Sequence, residues 1–167
     1  MDINLDVILG TINEWFICLF KNSKHAKDSS PHFHIIIPIK EENNITCKAE
    51  KSFIVCYITS QIEKRENYYN NIFKNNGIKD GINNWIKALV KISPKDFIFL
   101  TKDSVIECNK AELYSITELL DIIENPKDFI LRPETINEYF KNQITNAINI
   151  SPDVRNNIKK ILPLIIT

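Results

Sequence analysis

Hydrophobic positions change their rhythm partway along the chain. Between Trp15 and Thr59 they come in short dense runs, WFICLFK, HFHIIIPI at 32–39 and SFIVCYIT at 52–59. Such runs, rich in aromatic and β-branched residues, predict strands, and the nearly unbroken 52–59 run predicts one buried on both faces. NSKHAKDSSP separates the first two as a loop ended by Pro31, and EENN at 41–44 is a turn. Residues 2–11 read as a short helical turn or an N-terminal arm, and the polar SQIEKRENYYNNIFKNNG as a long loop or short helix. GINNWIKALVKI fits a helical stripe through Trp85, Ala88, Leu89 and Ile92, while ALVKI alone fits a strand. DSVIEC is the best strand of the following segment and LYSI one more short one. Past residue 116 the period is helical. TELLDIIE takes Thr117 as its N-cap. ETINEYFKNQITNAINI has Pro133 at its first turn and Ile136, Tyr139, Phe140, Ile144 and Ile148 on one stripe. Ser151-Pro152 restarts a helix through DVRNNIKKIL.

Strands at the front and helices at the back give an α+β chain. The 167 residues form a single domain, with 1–116 mainly β and 117–167 helical. The front strands lie too close together for βαβ crossovers, so a small, strongly bent antiparallel sheet or barrel of about five to seven strands fits better.

Composition narrows the function. Lys plus Arg and Asp plus Glu both number 21, so no global field draws in nucleic acid and any polyanion site is a local patch. Cys18, Cys47, Cys56 and Cys108 are widely spaced with no CxxC pair, which suits free thiols in a reducing cytoplasm. The opening MDINLDVILG lacks a basic n-region and a long apolar run, so it is not read as a signal peptide. No stretch reaches the length of a membrane span. The aliphatic end, KKILPLIIT, is expected in the core or at a dimer contact.

His32-Phe33-His34 holds two of the three histidines in the chain. On a strand, residues i and i+2 face the same way, so both imidazoles leave one side of the ribbon. They could be a general acid/base pair, two ligands of a metal site, or histidines tolerated at a half-exposed strand start. Thr59, Ser60 and Gln61 close the third run; hydroxyls and free backbone N–H groups there suit a phosphate or developing oxyanion, or else a local turn. Glu107 and Asn109, followed by Lys110, share a strand face with Val105; they could read bases, orient a base catalyst, or be solvated. Lys24, His25 and Lys27 could clamp a phosphate backbone, and Tyr68 and Tyr69 could stack on bases or pack.

The order of these segments resembles the MazF/PemK toxin family over nearly the whole chain. WFICLF resembles the family's opening strand, NSKHAKDSSP its variable loop, HFHIIIPI its second strand and FIVCYITSQIEK its third with the Thr-Ser end. KDSVIECNKAELYSI resembles its DSVI strand and hairpin, and ILRPETINEYFKNQITNAINIS its helical end. The resemblance implies an SH3-like barrel with C-terminal helices, usually a homodimer. It also implies cleavage of single-stranded RNA with neither metal nor cofactor, by 2′-hydroxyl attack to a 2′,3′-cyclic phosphate, restrained by a cognate antitoxin of protein or RNA. The family's usual Arg at the start of the second strand falls on His32 here. The adapted mechanism therefore expects His32 and His34 as acid and base and Thr59 and Ser60 at the phosphate oxygens. Lys24, Lys27, Gln61, Glu107, Asn109 and Lys110 would contact RNA. The alternatives are a non-catalytic RNA- or protein-binding module on the same fold, and a metal-dependent hydrolase built on the two histidines.

Overall fold

The computed structural model describes residues 14–21, 30–39, 52–77, 81–123 and 129–162. Residues 2–11, the loop with Lys24, His25 and Lys27, the turn at 41–44 and residues 163–167 lie outside these.

The described strands are β1 (Phe16–Phe20), β2 (His32–Pro38), β3 (Ser52–Thr59), β4 (Leu89–Ile92), β5 (Ser104–Glu107), β6 (Glu112–Ser115) and β7 (Ile130–Arg132). The helices are α1 (Ile62–Asn75), α2 (Asn84–Lys87), α3 (Ile116–Ile123), α4 (Glu138–Ile150) and α5 (Asn156–Lys160), with a 3₁₀ turn at Cys108–Lys110. All strand pairings are antiparallel, in the order β4-β5-β3-β2-β1-β7, and β6 also pairs with β3. The first half of β3 pairs with β6, from Ser52↔Ser115 to Val55↔Glu112, and its end with β5, at Ile58↔Ile106 and Thr59↔Val105. The class is α+β, as the pattern predicts. Among the described residues the edge strands β4 and β7 do not pair with each other, so the barrel is not closed.

Alternation along the strands explains the dense runs. One face sends Ile17, Ile35, Ile37, Ile54, Cys56, Ile58, Val90 and Ile106 against Phe140, Ile144, Ala147 and Ile148 of α4. The other sends Phe16, Cys18, Phe20, Ile36, Phe53, Val55 and Tyr114 against Leu119 and Ile123 of α3. With both faces covered, β3 is buried along nearly its whole length. At its far end the second face carries only a small cluster, Tyr69 of α1 with Leu89 and Val105.

Several boundaries differ from the sequence expectation. The polar stretch after Thr59 is neither a loop nor a short helix but the 14-residue α1. It closes through Gly77, whose φ of 71° is the left-handed conformation that glycine adopts without a Cβ clash. GINNWIKALVKI is both of its readings in turn, α2 and then β4. Thr117 is not the cap of α3. Ser115 Oγ accepts from the Glu118 N–H at 3.1 Å, and Glu118 Oε2 accepts from the Ser115 N–H at 2.8 Å, a capping box. Pro133 precedes α4 rather than opening it: Asn137 is the cap, its Oδ1 accepting from the Phe140 N–H at 3.0 Å. Tyr139 leaves the expected stripe and is exposed. The mainly β front also holds the helices α1 and α2, and the helical back also holds β7. β7 returns to pair with β1 at Ile17↔Arg132, Cys18↔Leu131 and Leu19↔Ile130.

Candidate active site

The β2–β3 register sets His34 opposite Tyr57, with Cys18 on its other side. His32 and His34 leave the same face of β2, as alternation requires, but at different depths. The His34 ring is 1% exposed and stacks on Phe20, centroids 3.8 Å apart and planes 17° from parallel. It is part of the packed aromatic core, and a substrate cannot reach it from solvent. The expected pair of imidazoles sharing one groove is therefore corrected to one accessible ring. His32 lies at the strand start, half-buried, with its ring edge-on to Tyr57 at 5.8 Å between centroids.

Thr59 is buried and pairs with Val105. Its Oγ1 accepts from the Gln61 N–H at 3.2 Å, the local turn that was the alternative reading of these hydroxyls. Ser60 and Gln61 are exposed and lead directly into α1. Gln61 occupies the cap position with no side-chain cap hydrogen bond, so it leaves first-turn N–H groups of α1 available to an anion.

Glu107 is not a base-reading residue on a solvated strand; it is fully buried. Its Oε1 accepts from the Tyr69 hydroxyl at 3.0 Å, and its Oε2 pairs with Arg65 Nε at 3.7 Å. Burial pushes the Glu107 carboxyl above its usual range; the Tyr69 hydrogen bond, Arg65, the Asn109 side chain and Lys110 pull the other way. Burial, with Glu107 next, also raises the Tyr57 phenol, so that ring stays neutral at physiological pH. Arg65 lies over the same ring, its Cζ 5.5 Å from the centroid.

Asn109 does not continue the face of β5, because the chain turns into the 3₁₀ segment at Cys108. Its amide donates to the Trp85 carbonyl at 2.8 Å and its Oδ1 accepts from Ser151 Oγ at 2.7 Å. Asn109 thus ties this turn to α2 and to the end of α4 rather than facing RNA. Lys110 is half-buried at the end of the turn. Tyr69 is buried and cannot stack on a base, whereas Tyr68 is exposed. Lys24 and Lys27 lie outside the described residues.

Sequence reasoning missed Arg65 and Tyr57; of the two readings of Tyr69, stacking on bases or packing, the structure shows packing. The available signal was the pattern Ile62, Tyr69, Ile72 in an otherwise polar run, a helical stripe that sets Arg65 one turn before Tyr69 on the inward face. The result is a continuous set, His32–Tyr57–Arg65–Glu107–Tyr69, beside the junction of β3 and α1. It combines an imidazole, a permanent cation and helix-terminal N–H groups. Among the described residues no group of three or more His, Cys, Asp or Glu side chains could hold a metal ion, and no helix is long and apolar enough to cross a membrane. No known family model matches the chain, and no curated protein matches its sequence.

Proposed function

We propose that this protein is a metal-independent endoribonuclease of toxin type that cuts single-stranded RNA. The observation that carries it is the half-buried His32, edge-on to Tyr57, at the end of the ribbon where Ser60 and Gln61 open α1 without a side-chain cap. Neutral His32 takes the proton of a ribose 2′-hydroxyl. The 2′-oxygen attacks the adjacent phosphorus, the bond to the 5′-oxygen breaks, and the leaving oxygen takes a proton from water. The products are a 2′,3′-cyclic phosphate and a 5′-hydroxyl. Ser60 and the first N–H groups of α1 hold the non-bridging oxygens as charge builds on them. In this proposal the chain works in the cytoplasm as a homodimer, with a cognate antitoxin, protein or RNA, covering the site.

The test is purified protein with long single-stranded RNA in EDTA, followed by mapping of the product ends. The proposal expects cyclic phosphate and 5′-hydroxyl ends, and loss of cutting in His32→Ala with the fold retained. Uncut RNA with folded wild-type protein overturns it. A second reading, a non-catalytic RNA- or protein-binding module, is favoured by the burial of His34, by the use of Thr59 in a local turn and by the use of Asn109 as a tie between distant segments. It expects binding that survives His32→Ala and no growth arrest on expression.

A further inference from the structure

Arg65 is held from two sides. Behind it stands Glu107, itself fixed by the Tyr69 hydroxyl, and beside it lies the face of Tyr57. Glu107 takes the Nε edge of the guanidinium at 3.7 Å, while about a quarter of the Arg65 side chain remains exposed (27%). A guanidinium is a planar fork of N–H donors; its Nε is buried toward Glu107, so the part of Arg65 that remains exposed is what an anion can reach. On α1, Glu66 is paired with Lys91 at 3.0 Å, which offsets its repulsion of an incoming anion. His32 touches the same Tyr57 ring, so Arg65 and the half-buried imidazole flank one aromatic platform.

We infer that Arg65 is a phosphate-binding residue: its guanidinium, set by Glu107 and Tyr57, receives a phosphodiester oxyanion of the RNA beside His32. The ligand's identity as RNA rests on the function proposed above; the anion site itself rests on the packing of Arg65. A planar fork held on two sides loses little side-chain freedom on binding and grips two phosphate oxygens at once. A lysine at the same position would keep the charge and lose the fork. Glu107 is a positioning residue, since it is buried and reaches a ligand only through Arg65.

The experiment uses the full chain labelled with ¹⁵N and a 2′-O-methyl oligoribonucleotide, which binds as RNA but cannot be cut. The Arg65 Nε–Hε resonance is followed during titration, with inorganic phosphate as a second probe. Binding of the oligonucleotide should move that resonance, Arg65→Lys should weaken affinity about tenfold, and Glu107→Gln should shift the free Arg65 resonance. A shift with the oligonucleotide but not with phosphate means that the site needs the polymer; a shift with both means that the oxyanion suffices, and either supports the site. An unmoved Arg65 resonance at saturation, or wild-type affinity in Arg65→Lys, overturns it. The outcomes separate from those of the cleavage assay: RNA cut normally by Arg65→Lys sinks this inference alone, whereas binding through Arg65 without any cutting sinks the ribonuclease alone.

Discussion

One face of the sheet buries two titratable side chains, His34 and Glu107, in surroundings of opposite kind. His34 lies in the β1–β2–β3 region among Phe16, Cys18, Phe20 and Ile36, with its ring flat on Phe20. Glu107 lies where β5 meets α1, beside a small apolar cluster, and is met by a hydroxyl and a guanidinium. An imidazole can be neutral near physiological pH and pack as an aromatic disc. A carboxylate has no such option at neutral pH unless its proton is retained, so its burial demands polar partners. Burial therefore means packing in the first region and an organised polar site in the second.

The largest expected effect breaks the first region. Phe20→Ala removes a fully buried ring and the surface on which His34 stacks. It should cost about 3–5 kcal/mol, read as a lower urea midpoint with an unchanged slope. Arg65 and Glu107 belong to the other region, so the Arg65 Nε–Hε resonance of the folded variant should stay in place. If that resonance moves as much as signals around His34, the two regions are not separate. A smaller loss should follow from Tyr69→Phe, which keeps the ring and deletes the hydroxyl that donates to Glu107. A buried carboxylate oxygen deprived of its donor costs about 1–3 kcal/mol. Here the Arg65 resonance should shift, because Glu107 is then held by fewer partners. An unchanged urea midpoint would mean that water replaces the hydroxyl and that the second region is wetter than its burial suggests.

These regions were unequally legible in the sequence. The strands of the apolar region announced themselves, since WFICLF, HFHIIIPI and SFIVCYIT are dense in residues that suit a sheet covered on both faces. The depth of His34 was not legible. Alternation gives the side of a strand on which a residue lies but not how far in from the strand end the covering layer begins, and here the ring of Phe20 lies flat on the second histidine while the first stays half-buried. Around Glu107 the difficulty was greater. α1 buries only Tyr69 among its fourteen residues, so its apolar period is faint. Arg65 and Glu107 meet across 42 positions of chain, a pairing set by the tertiary fold and by no local pattern. Asn109 misled for a related reason: the strand ended two residues before it, and its amide serves Trp85 and Ser151 from distant segments.

The smallest expected effect sharpens the comparison most. Glu107 has its proton affinity raised in the folded protein, with burial outweighing Tyr69, Arg65, Asn109 and Lys110. A carboxyl with a raised folded pKa contributes stability that is fully present below its unfolded pKa, about 4.3. That contribution is lost as pH rises through the folded value. Wild-type stability should therefore fall relative to Glu107→Gln over this interval and level off above it, because the amide has no proton to lose while its oxygen can still accept from Tyr69. The difference between the two denaturation curves cancels the titration of the other carboxylates, so its sign reports on Glu107 alone. If wild type instead gains on Glu107→Gln as pH rises, Arg65 and Tyr69 outweigh burial, and the charge is kept because it stabilises. If it loses, the ionised form is held against its own stability cost, as expected of a group retained to aim Arg65 rather than to strengthen the fold. His34, whose stacking on Phe20 needs no charge, presents no such conflict.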